Sequence, residues 1–317
     1  MSGDVLALSG GVGGAKLARG LARVLPAGAL TVVCNSGDDF QHLGLQICPD
    51  LDSVTYGIAG LADAQRGWGR AGETWQFMES LRALGGPDWF NLGDRDLALH
   101  VWRTQRLQEG LSLSAFTAEV CQRFGIAQRI LPMTDAPVRT LLETDQGTLE
   151  FQDYFVRRRA APRVIALRYV GADDAGLPGD LAVRIRAGWS PACVVVCPSN
   201  PYLSIDPILA IPAWRDWLSG LSCPIVAVSP IVGGQALKGC AGKMLQEFGH
   251  DVSALSVARH YAGLIEGLVI DDRDHALLPD IETLALSVRC APTVMRDDAT
   301  RDALARDVLQ FAATLRA

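Results

Sequence analysis

The sequence predicts an α/β fold: a Rossmann-like, mostly parallel sheet with helices on both faces and a helical insertion covering the ligand crevice. Short apolar runs recur at Val5–Leu8, Leu30–Cys34, Cys193–Cys197, Ile225–Val228 and Leu268–Ile270. They are continuous rather than alternating, as in strands buried on both faces. Each ends in a polar or glycine-rich loop, and the first passes through a glycine turn straight into a helical pattern.

Composition sets the outer bounds. A chain of 317 residues that is 49% hydrophobic fills a large core, and the reading is one α/β domain over 1–317 with the helical insertion at about 55–135. The formal net charge of -6 argues against a general nucleic-acid binder, which needs a basic face. The 8 cysteines contain no C-x-x-C pair and read as reduced, buried thiols. The first strand starts so early that no secretory leader is expected, and no apolar run approaches a membrane span; a cytoplasmic location is the expectation.

In the turn after the first strand, Gly10, Gly11, Gly13 and Gly14 let backbone N–H groups and a helix N-terminus approach an anion, where a Cβ would obstruct a phosphate. Lys16, in the following helix, adds a point charge. The turn is not a Walker A loop, and it lies out of register with G-x-G-x-x-G. A tight turn that only packs helix on strand is the plain alternative. The second strand ends at Asn35 and Ser36, beside that turn in a doubly wound sheet. A dehydrogenase would carry an acid where Asn35 stands, which weakens a nicotinamide reading. Asp38 and Asp39 read equally well as solvated loop charges.

Asp50 and Asp52 lie two apart in CPDLDSV. On an extended segment they would share one side and invite a cation; alternatively Asp50 caps a helix running through Val54 and Ile58. Helical patterns fill Glu73–Leu84, Asp94–Leu107 and Ser112–Phe124 with no strand between them. Trp68, Trp75, Trp89 and Trp102 crowd this stretch, where core packing is favoured over a flat aromatic site. Asp94 reads as a helix N-cap. Thr140–Glu143 and Thr148–Phe151 flank a hairpin turn, and Arg157, Arg158 and Arg159 form the strongest basic cluster, either a solvated face or a phosphate contact. The pattern 301–315 closes the chain as a helix. The five histidines show no metal-ligand spacing, and no Ser-His-Asp set is recognisable.

Taken in order, LSGGVGGAKLARGL, NSGDD, CPDLDSVTY, RGWG, WFNLGDRDLALH, ILPMTD, FQDYFV, PSNPYLSIDPIL and VSPIVGG resemble the 2-phospho-L-lactate transferase family of deazaflavin coenzyme F-420 biosynthesis along essentially the whole chain. The resemblance implies a phosphotransferase for substituted phosphate groups. The primary hydroxyl of the deazaflavin Fo attacks the phosphorus next to a three-carbon acid in a guanosine diphosphate-linked donor, and GMP leaves. The acid is 2-phospho-L-lactate in archaea and phosphoenolpyruvate in many bacterial members, with phosphoglycerate also conceivable. The resemblance further implies Mg2+, with Asp50 as first candidate ligand and Asp52 and Asp63 after it. Asp50 also matches a position that lies against Fo and is a candidate base. Asn91 stands where the family is often basic, next to Asp94 and Arg95 on the Fo side. Asn35, Ser36, Ser199, Asn200 and Pro201 match the guanosine side. A homodimer is expected, with no nucleic-acid or membrane partner. The competing reading is a non-catalytic nucleotide-sugar-binding regulatory protein of the same superfamily, which shares the glycine opening but not PDLD and LGDRD in this form.

Overall fold

The computed structural model describes residues 3–315. The chain opens with β1 (Val5–Ser9), α1 (Gly11–Val24) and β2 (Leu30–Cys34), then a hairpin of β3 (Phe40–His42) and β4 (Leu45–Ile47). Four helices follow: α2 (Pro49–Ala59), α3 (Gln76–Ala83), α4 (Asp94–Gln108) and α5 (Leu113–Arg123). After β5 (Arg129–Pro132) come β6 (Arg139–Thr144), β7 (Gly147–Glu150) and β8 (Val164–Val170), then α6 (Gly179–Arg186), β9 (Cys193–Val196), α7 (Asp206–Leu209) and α8 (Pro212–Ser219). The last third holds β10 (Ile225–Val228), β11 (Ile231–Val232), β12 (Gln235–Ala236), α9 (Ala241–Glu247) and α10 (Ala254–His260). It ends with β13 (Gly267–Asp271), α11 (Leu278–Glu282), β14 (Ser287–Ala291) and α12 (Asp298–Thr314).

Seven strands form the central sheet in the order β14-β13-β10-β9-β1-β2-β5, every neighbouring pair parallel. From β1 the chain builds outward through β2 to β5, then returns beside β1 as β9 and builds the other way. The reversal between β1 and β9 is the switch point, and the loops leaving the carboxyl ends of these strands frame a crevice there. Alternate strand residues serve the two faces. Leu6, Leu8, Val194 and Val196 pack with Trp214, Val257 and Ile281 on one side. Val5, Ala7, Cys193 and Val195 pack with Leu17 of α1 and Leu304 and Val308 of α12 on the other. Both faces are covered by helices, which explains why the runs are apolar without alternation. No disulfide forms among the described residues, and seven of the eight cysteines are buried. No helix among the described residues is long and apolar enough to cross a membrane.

Several elements lie where no simple run marks them. β5 joins the edge of the central sheet, so the helical stretch ends before Arg129 rather than at about 135. The expected hairpin gains a third strand, giving an antiparallel sheet β7-β6-β8. This sheet sits on the switch-point loops: Thr140 N–H donates to the Gly37 carbonyl at 2.8 Å, and the Tyr169 hydroxyl donates to the Tyr202 carbonyl at 2.5 Å.

The expected N-cap role of Asp94 is corrected. Its own helix is capped by Gly93. The Asp94 carboxylate instead accepts the N–H groups of Gln76 and Phe77, both at 3.1 Å, at the start of α3. Glu73, just before α3, returns the arrangement by accepting the N–H groups of Arg95 and Asp96 at 2.7 and 2.9 Å. Each carboxylate satisfies orphan donors of the other helix.

The largest fully buried side chain among the described residues is Trp214, its indole N–H donating to the Met133 carbonyl at 2.7 Å. Trp214→Ala opens a cavity and orphans that carbonyl, and is expected to cost about 3–5 kcal/mol. Urea unfolding checks this as a lower midpoint at unchanged slope.

Candidate active site at the switch point

The glycine turn divides its labour. Gly10 is extended and caps α1, and Gly11 takes a left-handed φ of 62°. A Cβ at Gly13 would stand 2.3 Å from the Pro198 carbonyl oxygen, and one at Gly14 would meet Ser9 Oγ at 2.5 Å and Ser199 Oγ at 2.7 Å. These two glycines therefore let the helix start pack on β1 and on the loop after β9. A Cβ at Gly10 would strike Ser204 Cβ at 2.6 Å and Asp50 Oδ2 at 2.8 Å, whereas at Gly11 it meets only Ser204 Oγ at 3.8 Å. Gly11 is thus the turn glycine that borders open space, and the N–H groups of Val12 and Gly13 lie in the part of a helix that lacks intrahelical acceptors. The two preceding amides are already taken: Gly10 N–H donates to Ser199 Oγ at 3.3 Å, and Gly11 N–H to Asp50 Oδ1 at 2.7 Å.

Asp50 is buried in the first turn of α2, where Cys48, not Asp50, is the N-cap. Its second oxygen accepts from Asn35 Nδ2 at 3.0 Å, and the same amide donates to the Leu203 carbonyl at 3.1 Å while its oxygen accepts the Gly37 N–H at 2.8 Å. Asn35 thereby fixes the loop after β2 against both Asp50 and the loop after β9. That loop carries two further buried carboxylates, Asp38 and Asp39, which corrects the reading of solvated charges. Burial and the neighbouring Asp50 push the Asp38 carboxyl well above the usual range. Burial raises Asp39 to about 7, against the lowering influence of Cys48, Arg103 and Arg139. Burial also raises Asp50, opposed by its hydrogen bonds from Asn35 and Gly11.

Asp39 Oδ1, Ser9 Oγ and Ser36 Oγ are buried without a hydrogen-bond partner, while Asn35 and Thr140 beside Asp38 act to lower its carboxyl pKa. No cationic side chain ion-pairs with Asp38, Asp39 or Asp50 among the described residues. Asp50 lies close enough to raise the Asp38 carboxyl, whereas Asp39 feels Cys48, Arg103, Arg139 and Asp52; a hard divalent cation such as Mg2+ would fit beside Asp38 and Asp50.

Asp52 and Asp63 belong elsewhere. Two residues apart on a helix point to different sides, so the extended-segment pairing of Asp50 with Asp52 does not hold. Asp52 forms a buried ion pair with Arg103 of α4. His100 Nδ1 lies 3.7 Å from Asp52, its Nε2 lies 3.3 Å from Asp96, and the Tyr56 hydroxyl donates to Asp96 at 2.6 Å. Asp52, Asp96 and His100 offer one ligand atom each within 4.8 Å of one another, a grouping not visible in histidine spacing. The Arg103 guanidinium already supplies positive charge there; burial opposes that charge, but the Asp52 carboxylate raises the Arg103 pKa. This network joins α2 to α4. Asp63 holds its own turn, accepting N–H groups of Gln65 and Arg66 at 2.9 and 2.8 Å.

The remaining candidates separate. Lys16 Nζ donates to the Met295 carbonyl at 3.2 Å. Asn200 caps the π-turn starting at the buried Pro201, accepting from Tyr202 and Leu203 N–H at 3.0 and 3.4 Å. Asn91 accepts from Arg82 at 3.1 Å on the exposed side of the cover. Arg95 lines a cleft of about 160 Å³ with Arg70, Arg123, Trp102 and Phe124. None of Asn91, Asp94 and Arg95 bonds to the glycine turn, Asn35 or Asp50. Trp89 lies against Phe40 and His42, and Trp102 against Phe116, while Trp68 is 47% exposed. Arg157 and Arg158 pair with Asp153, and Arg159 lines a cleft of about 370 Å³ with Phe155, Cys240 and Lys243. The structure therefore gathers Gly10, Gly11, Asn35, Asp50 and Ser199, and adds Asp38 and Ser204.

With this geometry in hand, comparison with known proteins is decisive. The model of the family described as 2-phospho-L-lactate transferase CofD matches residues 5–300. The chain belongs to that family. Curated relatives named phosphoenolpyruvate transferase match over nearly full lengths: one from Streptomyces griseus subsp. griseus at 41% identity over 99% of both chains, and one from Mycolicibacterium smegmatis at 37% over 97% of this chain and 98% of its own. A solved structure of a upf0052-family protein from Bacillus halodurans shares the fold, with a TM-score of 0.63 at 14% identity over 97% of this chain and 100% of its own. As a CofD-family protein the chain is a transferase with a Rossmann-like α/β fold.

Two measurements probe the buried charges of this CofD-family protein. Arg103→Met leaves Asp52 buried without its partner and is expected to cost about 3–5 kcal/mol in urea unfolding, with much of it recovered in the double variant Arg103→Met/Asp52→Leu. In chelator, Asp39 titrates near 7 when folded and at about 3.9 when unfolded, so the folded state binds the extra proton. Its contribution is fully present below the lower value and lost as pH rises through the higher. Unfolding free energy should therefore decline between about pH 4 and 7, and Asp39→Asn should flatten that slope.

Proposed function

We propose that this transferase moves phosphoenolpyruvate from a guanosine diphosphate-linked donor to the primary hydroxyl of Fo, releasing GMP, in coenzyme F-420 biosynthesis. The observation that carries the reading is the pair of buried carboxyls Asp38 and Asp50, without an ion-pair partner among the described residues, beside the N-terminus of α1 at the switch point. An anionic diphosphate needs donors and countercharge together: the start of α1 offers the donors, and a cation held by the carboxylates would supply the countercharge. The names of the relatives favour phosphoenolpyruvate over 2-phospho-L-lactate or phosphoglycerate as the acid.

In the reaction the Fo hydroxyl oxygen forms a bond to the phosphorus next to the acid, and the bond from that phosphorus to the bridging oxygen breaks, so that GMP leaves with the electron pair. Asp50 and Asp38 are the residues that would hold Mg2+, which when bound would neutralise charge on the diphosphate and the leaving phosphate. The α1 amides of Val12 and Gly13 orient the donor's phosphate oxygens. Asn35 and Ser199 keep the three loops in register around it. Asp50, with its pKa raised by burial, is suited to accept the hydroxyl proton. Asn200 and Pro201 border the guanosine side, and Asn91, Asp94 and Arg95 the Fo side. The enzyme is proposed to work in the cytoplasm as a homodimer, which light scattering tests.

Incubation of the purified protein with Fo, magnesium and each guanosine-linked acid, read by mass, is expected to give the phosphoenolpyruvate diester of Fo and GMP. Asp50→Asn should lower the rate by at least about a hundredfold. Donor binding without any diester would overturn the reading.

A further inference from the structure

The cleft of about 160 Å³ on the helical cover opens where the loop between α2 and α3 meets α4 and α5. Three arginines line it: Arg70 from the loop, Arg95 from α4 and Arg123 from the end of α5. Between them the walls are apolar. Leu99 and Val120 are buried there, and Trp102 and Phe124 are half-buried. Neighbouring rings hold both aromatic walls: Trp102 stands 5.1 Å from Phe116, edge to face, and Phe124 stands 6.3 Å from Tyr56. Two of the arginines are seated as well. The Arg70 guanidinium lies 5.6 Å from the centre of the Phe124 ring. The Arg95 guanidinium lies against Gly72, where an added Cβ would stand 2.9 Å from Nη1.

The charges around this cleft do not balance locally. In the loop, Asp63 pairs with Arg66, and Glu73 accepts the backbone N–H groups of Arg95 and Asp96. In α4, Asp94 accepts from the start of α3, and Asp96 accepts from the Tyr56 hydroxyl. Glu109, just after α4, and Glu119 of α5 both pair with Arg106. Each carboxylate of the three surrounding elements is thus engaged elsewhere. Arg70, Arg95 and Arg123 have no carboxylate ion pair among the described residues. Like charges gathered around one concave surface attract an anion, even in a chain of net charge -6. The guanidinium fork matches the paired oxygens of a carboxylate or a phosphoryl group. The volume lies below the roughly 300–1,000 Å³ of pockets that take drug-sized ligands, so the occupant is compact.

We infer that this cleft binds a small-molecule oxyanion of two or more negative charges, a phosphoryl or dicarboxylate compound whose short carbon skeleton lies along Trp102 and Phe124. The site goes beyond the proposed transfer and does not rest on it. Of its lining residues only Arg95 also borders the Fo side, and none comes from the glycine turn or the loops of Asn35 and Asp50. A bound anion ties the loop to α4 and α5 through one guanidinium from each.

Calorimetry on the full chain in chelator tests the site with inorganic phosphate, 2-phosphoglycolate, succinate and neutral 1,4-butanediol. The parent is expected to bind 2-phosphoglycolate or succinate, phosphate more weakly and butanediol not at all. Which of the first two binds distinguishes a phosphoryl from a dicarboxylate site. Arg123→Gln and Arg70→Gln should each weaken that anion about tenfold, and Arg123→Lys should recover part of the loss. Arg123 is exposed, so Arg123→Gln should melt with the parent when no anion is present. Added anion should raise the melting temperature of the parent more than that of Arg123→Gln. No anion binding by the parent, or equal affinity in the parent and both glutamine variants, overturns the inference.

Discussion

A single hydrogen bond organises the crevice: Gly11 N–H to Asp50 Oδ1 at 2.7 Å. It joins the first amide of α1 to the first turn of α2, elements that otherwise reach the switch point from different loops. The bond requires the left-handed Gly11, and it requires Gly10 to admit the Asp50 carboxylate without a Cβ. Asn35 then links that carboxylate to the loop after β9. Removing any one partner leaves a buried polar group unsatisfied, so the three loops are specified together.

The first turn of α2 separates two electrostatic tasks. Asp50 turns to the crevice beside Asp38, and no guanidinium ion-pairs with it among the described residues. Asp52 turns to α4 and is answered by Arg103. Helical geometry forces that division, since positions two apart face away from each other. The crevice therefore holds carboxyls whose charge burial disfavours and a proton or bound cation would balance, while the helical cover is fastened by the Asp52–Arg103 ion pair on another side of the same turn.

The sheet was legible because buried parallel strands announce themselves as continuous apolar runs, and β2 and β10 match their runs residue for residue. β5 and β14 escaped for a physical reason. Both are edge strands, with exposed residues such as Arg129 and Ser287 interrupting the pattern. Asn35, Asp50 and Ser199 were readable from their places after strands or in the PDLD segment. Asp38 and Asp39 were not, because a carboxylate pair in a loop is usually solvated, and only the sheet β7-β6-β8 lying over that loop buries them. The Asp52–Arg103–His100 network depends on which face of α4 meets α2, which spacing within either helix leaves open.

The reciprocal caps of α3 and α4 carry a consequence for how the cover behaves. Glu73 closes the start of α4, and Asp94 closes the start of α3. Neither helix frays at its amino end without stripping the other of its acceptor, so the pair opens in concert or stays shut. The strap that leads from α2 to this pair carries four left-handed glycines, Gly60, Gly67, Gly69 and Gly72, so its turns are set by backbone that side chains would strain.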